Sequence, residues 1–352
     1  MTYNVAIIGA GIGREHLIGY ATLPDRFTVK TLCDLDTTRA KSVGEGYDAL
    51  SITDNLIAVL ADPNIDIIDI CLPPHLHFKV ASQALEAQKH VVCEKPLVGS
   101  LAEADKLVTT SKDAGRHVFP VFQYRYGLGT AQLHALIDAG LAGRCYAGTL
   151  ETHWKRPASY YEFEWRGTWA GEQGGALLGH AIHIHDLLPS ILGPVARVYA
   201  DVAIRVNEIE VEDCASLSIR MAEGAVITSS VTLGAADNTS RMRLMFEGFT
   251  VESDHAPYAP AQNGWTFKAR DPFRQSDLDA ILAGVTGANS SFPGLFEAIA
   301  DALDGKGGRE VTLSDGRASL EFVTAAYASA RTGAPVDLPL GPDHPLYGGW
   351  TP

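Results

Sequence analysis

The sequence predicts an α/β protein in two parts: a doubly wound parallel sheet over 1–122, then an α+β domain over 123–352 on an open, largely antiparallel sheet. Three observations predict it. Strand-like and helix-like hydrophobic patterns alternate strictly through the first part, which requires parallel strands joined by helical crossovers. A glycine-rich turn, Gly9-Ala10-Gly11-Ile12-Gly13, separates the first strand from the first helix. From 198 to 251 strand patterns follow one another without helices, broken at Glu223-Gly224, at 234–239 and at Glu247-Gly248, as in an antiparallel meander.

In order, 5–9 reads as a strand, 15–23 as a helix, 27–33 as a strand and 37–44 as a short helix. A helix over 55–60 is followed by a strand over 65–71, a helix over 77–87 and a strand over 90–93. Ser100 with Glu103 forms a capping box for a helix over 101–114, and 117–121 is the last strand of the first part. After Gln123 the rhythm changes to a helix over 129–139, a strand over 145–152, an aromatic and basic stretch, and a helix over 175–192. The segment 254–289 has no clear period, and helices over 294–303 and 315–332 close the chain.

With 352 residues and 46% hydrophobic content, the chain can fill two cores. Its formal net charge of -14 argues against non-specific affinity for nucleic acid or an anionic membrane and points to a small-molecule partner. Met1-Thr2-Tyr3-Asn4 runs straight into an apolar strand, leaving no room for a secretory leader, and no apolar run is long enough to span a bilayer. The five cysteines, Cys33, Cys71, Cys93, Cys145 and Cys214, form no close pair, so neither a disulfide framework nor a zinc knuckle is expected. The expectation is a soluble protein of a reducing compartment, the cytoplasm.

The glycine turn lies where backbone N–H groups at a helix N-terminus can approach a pyrophosphate. The usual fingerprint would place a third glycine at position 14, which is Arg14, so either the loop is one residue short or Gly13 takes that role. Asp34, at the end of the second strand, can accept from both ribose hydroxyls and repel a 2'-phosphate, which favours NAD over NADP. Arg39 is the counter-argument, since it could swing toward a phosphate. Pro73-Pro74 can turn carbonyls toward a nicotinamide or simply stiffen a connection. Glu94 and Lys95 end a strand buried on both faces, at the crevice where doubly wound sheets bind ligands. Lys95 is thereby placed to meet cofactor or substrate, the alternative being a salt bridge with Glu94.

In the second part, His180, His183, His185 and Asp186 cluster on one predicted helix. Histidines at i and i+3 can share a face, but His185 points elsewhere and no second cluster is evident, so no bound metal is expected. Trp154, Lys155, Arg156, Tyr160, Tyr161, Trp165, Arg166 and Trp169 interleave aromatics with cations. Such a set can stack on sugar C–H faces while charged tips hold hydroxyls or a carboxylate, and it equally suits an oligomer contact.

The runs Cys71-Leu72-Pro73-Pro74-His75-Leu76-His77 and 84–96, ending Glu94-Lys95-Pro96, resemble the Gfo/Idh/MocA (glucose-fructose oxidoreductase, inositol dehydrogenase, rhizopine catabolism) family. The resemblance continues through 139–144, 174–177, His183, Asp186-Leu187-Leu188 and Ala328-Ser329-Ala330. It implies a Rossmann domain joined to an open-faced α/β domain whose sheet often serves oligomerisation, hence a homodimer or homotetramer. It also implies NAD(P)-dependent hydride transfer from a hydroxyl-bearing carbon of a sugar, sugar acid or cyclic polyol such as inositol. Lys95 matches the lysine that hydrogen-bonds the reacting hydroxyl and the nicotinamide ribose, and His183 matches the proton acceptor. The candidate cofactor contacts are then Gly9, Gly11, Ile12, Gly13, Asp34, Leu72, Pro73, Pro74, His77, Glu94 and Lys95. The candidate substrate contacts are His180, Asp186, Trp154, Arg156, Tyr160, Trp165, Arg166 and Arg125. One departure stands out: many members carry an aspartate one turn before the histidine, and here that position is Gly179, with His180 and Asp186 as the nearest substitutes. Two other readings remain open, an NAD-retaining glycoside hydrolase or lyase that returns the hydride within one cycle, and a non-catalytic sugar or nucleotide sensor.

Overall fold

The computed structural model describes residues 1–351, which divide into one unit of Met1–Val121 with Leu295–Leu320 and another of Phe122–Gly294 with Glu321 to the C-terminus. The first unit runs β1 (Tyr3–Ile8), α1 (Gly13–Ala21), β2 (Phe27–Cys33), α2 (Thr37–Val43), β3 (Ser51–Thr53), α3 (Leu56–Ala61), β4 (Ile67–Ile70), α4 (His77–Glu86), β5 (His90–Cys93), α5 (Leu101–Ala114) and β6 (Val118–Pro120). Every neighbouring pair is parallel, in the order β3-β2-β1-β4-β5-β6. The strand order reverses between β1 and β4, so their carboxyl ends flank the topological switch point where such sheets bind ligands. Val5, Ala6, Ile7, Ile67, Ile68, Val91 and Val92 are fully buried, as strands covered on both faces demand. The short β3 escaped the sequence pattern because a three-residue strand shows no period. The Ser100 hydroxyl does cap α5, accepting the Glu103 N–H at 3.2 Å, and Gly115 ends that helix in the left-handed region.

The second unit contains α6 (Leu128–Asp138), β7 (Cys145–Lys155), α7 (Trp169–Glu172), α8 (Ile182–Leu192), β8 (Val195–Ala203), β9 (Cys214–Met221), β10 (Val226–Thr232), β11 (Gly234–Phe246), β12 (Phe249–Glu252), β13 (Thr266–Ala269) and α9 (Gln275–Leu282). After α10 (Ser291–Leu303) and α11 (Leu313–Thr332), β14 (Val336–Asp337) completes its sheet. The order is β13-β12-β11-β7-β10-β9-β8-β14, antiparallel throughout except for the parallel pair β7/β10. Strict alternation of buried and exposed residues along β9 and β10 marks a sheet with one covered face. Helix α8 packs on β7 and β11, which brings the histidine-bearing segment onto that covered face. The segment without a clear period, 254–289, holds β13 and α9.

The linear boundary expected after residue 122 differs from the structure, in which Leu295–Leu320 returns to the first unit. Helical patterns near the C-terminus do not say which sheet they will cover; packing decides it. Phe296, fully buried, stacks on Tyr20 at 3.8 Å between centroids and lies edge-on to His16 at 5.4 Å. Asp304 accepts the Tyr3 hydroxyl at 2.9 Å, and Asp301 accepts from Arg26 at 2.9 Å. Phe296→Ala is expected to lower the unfolding free energy of this unit by about 3–5 kcal/mol, read by urea denaturation. A fragment ending at residue 122, deprived of that ring, is expected to show no cooperative transition.

Candidate active site

In the first unit the glycine turn is shaped by close approaches. Gly9 has φ +106°, and a Cβ there would lie 2.4 Å from the Cys71 carbonyl oxygen. A Cβ at Gly13, the first residue of α1, would lie 2.8 Å from the Ile7 side chain, so Gly13 performs the helix-to-strand packing role of the third glycine and Arg14 stays exposed. At Gly11 a Cβ would meet nothing within 4 Å, and Ile12 is exposed; this is the open side of the turn. Asp34 accepts the Ala10 N–H at 2.7 Å and the Asp36 N–H at 2.8 Å, and both its oxygens pair with Arg39 at 2.8 and 2.9 Å. Burial opposes ionisation, but these donors outweigh it and hold the carboxyl below its ordinary range. Arg39, although exposed, is therefore paired with Asp34.

Glu94, almost completely buried, has one oxygen 3.2 Å from His16 Nε2 and uses the other to accept the Lys95 N–H at 3.0 Å. His16 Nδ1 lies 2.8 Å from Asp69. Burial alone would strip the His16 proton, yet Asp69 overrides it and keeps the ring protonated well above the ordinary histidine range. The ligating atoms of His16, Asp69 and Cys71 lie within 4.8 Å of one another, but the 2.8 Å contact is that of a shared proton. Leu72, Pro73 and Pro74 are half-buried in the loop after β4, and Lys95 is half-buried after β5. His77, expected among the cofactor contacts, has both ring nitrogens beside protein carbonyls. It is fully buried with Nδ1 2.7 Å from the Pro96 carbonyl and Nε2 2.8 Å from the Leu72 carbonyl. Burial pushes its pKa down against the pull of both carbonyls, and the ring, which when neutral can donate to only one of them, sits between the two loops.

In the second unit the single helix expected over 175–192 is interrupted: Leu177–Ala181 forms a π-helical turn before α8. His180 and His183 accordingly have different neighbours. His183 stacks on Tyr124 at 4.7 Å with Phe122 at its edge. His180 meets the Trp154 ring edge-on at 5.2 Å, and its Nε2 accepts the Arg156 Nε–H at 3.1 Å, so Nε2 carries no proton. His185 faces Ser229 at 2.8 Å, and burial pushes its pKa down to about 3. A Cβ at Gly179 would meet nothing within 4 Å, leaving room at the position of the missing aspartate.

Two candidate substrate contacts have protein partners in the structure. Asp186 is 1% exposed and binds Arg125 bidentately, at 2.7 Å from Nε and 2.6 Å from the terminal nitrogen. The pair braces α8 against the turn Gln123–Arg125, which is a positioning task. Trp154 is buried with its indole N–H donated to Ser240 at 3.1 Å, so it offers a ring face only. Arg156 lies 4.7 Å over that ring and 4.9 Å from Tyr160, while Arg166 covers Tyr160 at 4.0 Å and Trp165 at 4.5 Å. The sequence reading missed Tyr124 and Glu212. Glu212, 4% exposed, accepts the N–H groups of Gly175 at 3.1 Å and Leu177 at 2.9 Å and the Tyr327 hydroxyl at 3.0 Å. Its only sequence signal was an acidic pair, Glu212-Asp213, after an apolar residue.

Residues 3–122 match the model of the Gfo/Idh/MocA oxidoreductase family with an NAD-binding Rossmann fold, and residues 130–252 match the Gfo/Idh/MocA C-terminal domain. The chain belongs to the Gfo/Idh/MocA family. This family member is an NAD-binding oxidoreductase, and its first unit is the Rossmann domain. It is similar to levoglucosan dehydrogenase of Pseudarthrobacter phenanthrenivorans, 27% identical over 266 residues that cover 66% of this chain and 68% of that protein. The D-glucoside 3-dehydrogenase of Escherichia coli is 29% identical over 195 residues, 54% of each chain, so this chain matches about half of that relative's length. Among solved structures, the WlbA dehydrogenase from Bordetella pertussis in complex with NADH and UDP-GlcNAcA is 28% identical, with a TM-score of 0.83 over 97% of this chain and 100% of that one.

The nucleotide end of this Gfo/Idh/MocA member fits the cofactor, since Gly9, Gly11 and Gly13 clear the turn and Asp34 presents a fixed carboxylate. Asp34→Ser removes that carboxylate and releases Arg39, and is expected to raise the NADP-to-NAD ratio of binding constants by at least about tenfold, measured by titration with each reduced cofactor. At the histidine helix, burial pushes the Glu212 pKa up to about 7 from an ordinary 4.5. Between these values the unfolded chain releases a proton that the folded chain keeps, so stability falls as pH rises through the window, by up to about 3 kcal/mol. Glu212→Gln is expected to flatten that slope in urea midpoints taken from pH 4.5 to 7.5.

Proposed function

We propose that this protein is an NAD-dependent dehydrogenase that oxidises a hydroxyl-bearing carbon of a sugar, sugar acid or cyclic polyol. The observation that carries the reading is Lys95, half-buried directly after β5, on a backbone whose N–H is held by buried Glu94 within an NAD-binding domain. The printed names of the relatives, levoglucosan dehydrogenase and D-glucoside 3-dehydrogenase, support a carbohydrate substrate. The resemblance supplies the pairing of Lys95 with His183.

Bound NAD supplies the hydride acceptor. In this reading the Lys95 ammonium hydrogen-bonds the substrate oxygen and stabilises the alkoxide character that develops as the C–H bond breaks. His183 takes the hydroxyl proton. Stacking on Tyr124 fixes the plane of its ring, and the Arg125–Asp186 pair fixes the helix that carries it. His185, which burial keeps neutral behind it, holds the same helix to Ser229 of β10.

His183→Asn is expected to lower kcat by about 10²–10⁴-fold while NADH affinity, read by nucleotide fluorescence, changes little. Lys95→Ala is expected to lower kcat comparably. Near wild-type turnover in either variant, on a substrate found by screening sugars, uronates and inositols for reduced-cofactor absorbance, would overturn its assigned role. Product formation without net NADH release would transfer the protein to the hydrolase or lyase reading.

A further inference from the structure

We propose that Arg156 is the receptor for a carboxylate on the substrate, so that the substrate is a sugar acid rather than a neutral sugar or polyol. The inference rests on the dehydrogenase reading and narrows it. Arg156 follows the last residue of β7, and its guanidinium lies near two aromatic rings, 4.7 Å from Trp154 and 4.9 Å from Tyr160. Its hydrogen bonds all go to neutral groups: Nε–H to His180 Nε2 at 3.1 Å, one terminal nitrogen to the Lys155 carbonyl at 3.0 Å, the other to the Tyr258 hydroxyl at 3.2 Å. None of these partners is an anion. By contrast, Arg39 is paired with Asp34, Arg125 with Asp186, and Arg166 with Glu172 at 3.6 Å.

Of five guanidinium N–H groups, these contacts use three and leave one on each terminal nitrogen, the number a carboxylate accepts in a bidentate pair. The Trp154 and Tyr160 rings lie within cation–π range of the half-buried guanidinium. Arg166, on the Tyr160 ring at 4.0 Å, and exposed Lys155 add positive potential to the same patch. The patch touches His180, which shares its segment with His183 beside the open space at Gly179. A neutral hydroxyl could accept one hydrogen bond from Arg156, but it would leave the charge uncompensated.

The test measures kcat/KM with NAD for D-glucuronate, D-galacturonate and D-gluconate against D-glucose, D-galactose and myo-inositol, in the wild type, Arg156→Gln and Arg156→Lys. In parallel, NADH-loaded protein is titrated with each compound, using the fluorescence of Trp154 beside the guanidinium as a readout independent of turnover. The expected result is tighter binding and faster turnover of acids by the wild type. Arg156→Gln should reduce the acid-to-neutral ratio about 30-fold or more, mainly through KM, and Arg156→Lys should recover part of it. A wild type that favours neutral compounds, or a ratio unmoved in Arg156→Gln, would overturn the carboxylate assignment and leave the dehydrogenase reading standing. Binding of acids without oxidation by NAD would do the opposite, supporting the carboxylate assignment and removing the dehydrogenase.

Discussion

The carboxylate of Glu94, held between His16 and the N–H of Lys95, is the constraint on which the carboxyl edge of the Rossmann sheet depends. His16 keeps a proton on each ring nitrogen because Asp69 outweighs the cost of burying its charge, so it donates to Asp69 and Glu94 together. One side chain of α1 thus joins β4 to the end of β5. The helix whose first turn must offer N–H groups to a pyrophosphate is thereby set in register with the backbone of Lys95. Removing one member of such a buried ionic group leaves an uncompensated charge and costs about 3–5 kcal/mol, far more than any surface pair. The stiffness of this edge is electrostatic, and His77 adds to it by filling the gap between the carbonyls of Leu72 and Pro96.

Glu212 performs the corresponding task for the histidine helix by a different balance. It takes the N–H groups of Gly175 and Leu177 at the entrance to the π turn, where no side chain at 175 would fit beside its backbone, 1.9 Å from a Cβ. Among the described residues no cation pairs with it as His16 does with Glu94, so burial prevails and the acid gives up its proton near neutrality. Tyr327, in the same cluster, brings α11 into the support, and Trp350 packs on Tyr327 at 5.8 Å. The position of His180 and His183 therefore depends on residues widely separated in the chain.

That separation explains what the sequence could and could not reveal. The alternation of the first unit was legible because strands buried on both faces are continuous apolar runs, and the place of Lys95 just beyond β5 was legible from the end of such a run. Asp34 was legible from its place at the end of β2. The partners of buried charges were not: Asp69 looks like an interruption of β4, and nothing in a linear pattern ties it to His16. The bidentate pairing of Arg125 with Asp186, two residues that the family resemblance made candidates for substrate contact, was likewise invisible in the linear pattern. The π turn was invisible because its residues continue an apolar helical pattern, and the return of Leu295–Leu320 to the first unit depends on a ring, Phe296, that would suit either core.

The same logic bears on charge as a guide to ligands. A formal net charge of -14 suggests an aversion to anions, yet the family to which this chain belongs binds a dinucleotide diphosphate. Beyond about 8 Å at physiological ionic strength the summed field is largely screened, so what an anion meets on arrival is set by the nearest few side chains. Arg39 and Arg125 add little there, because Asp34 and Asp186 already neutralise them. Arg156 differs from these two, lying near two aromatic rings and hydrogen-bonded only to neutral groups. In an acid-rich protein, whether a cation can take an anion is set by its immediate neighbours, and the count of charges does not decide it.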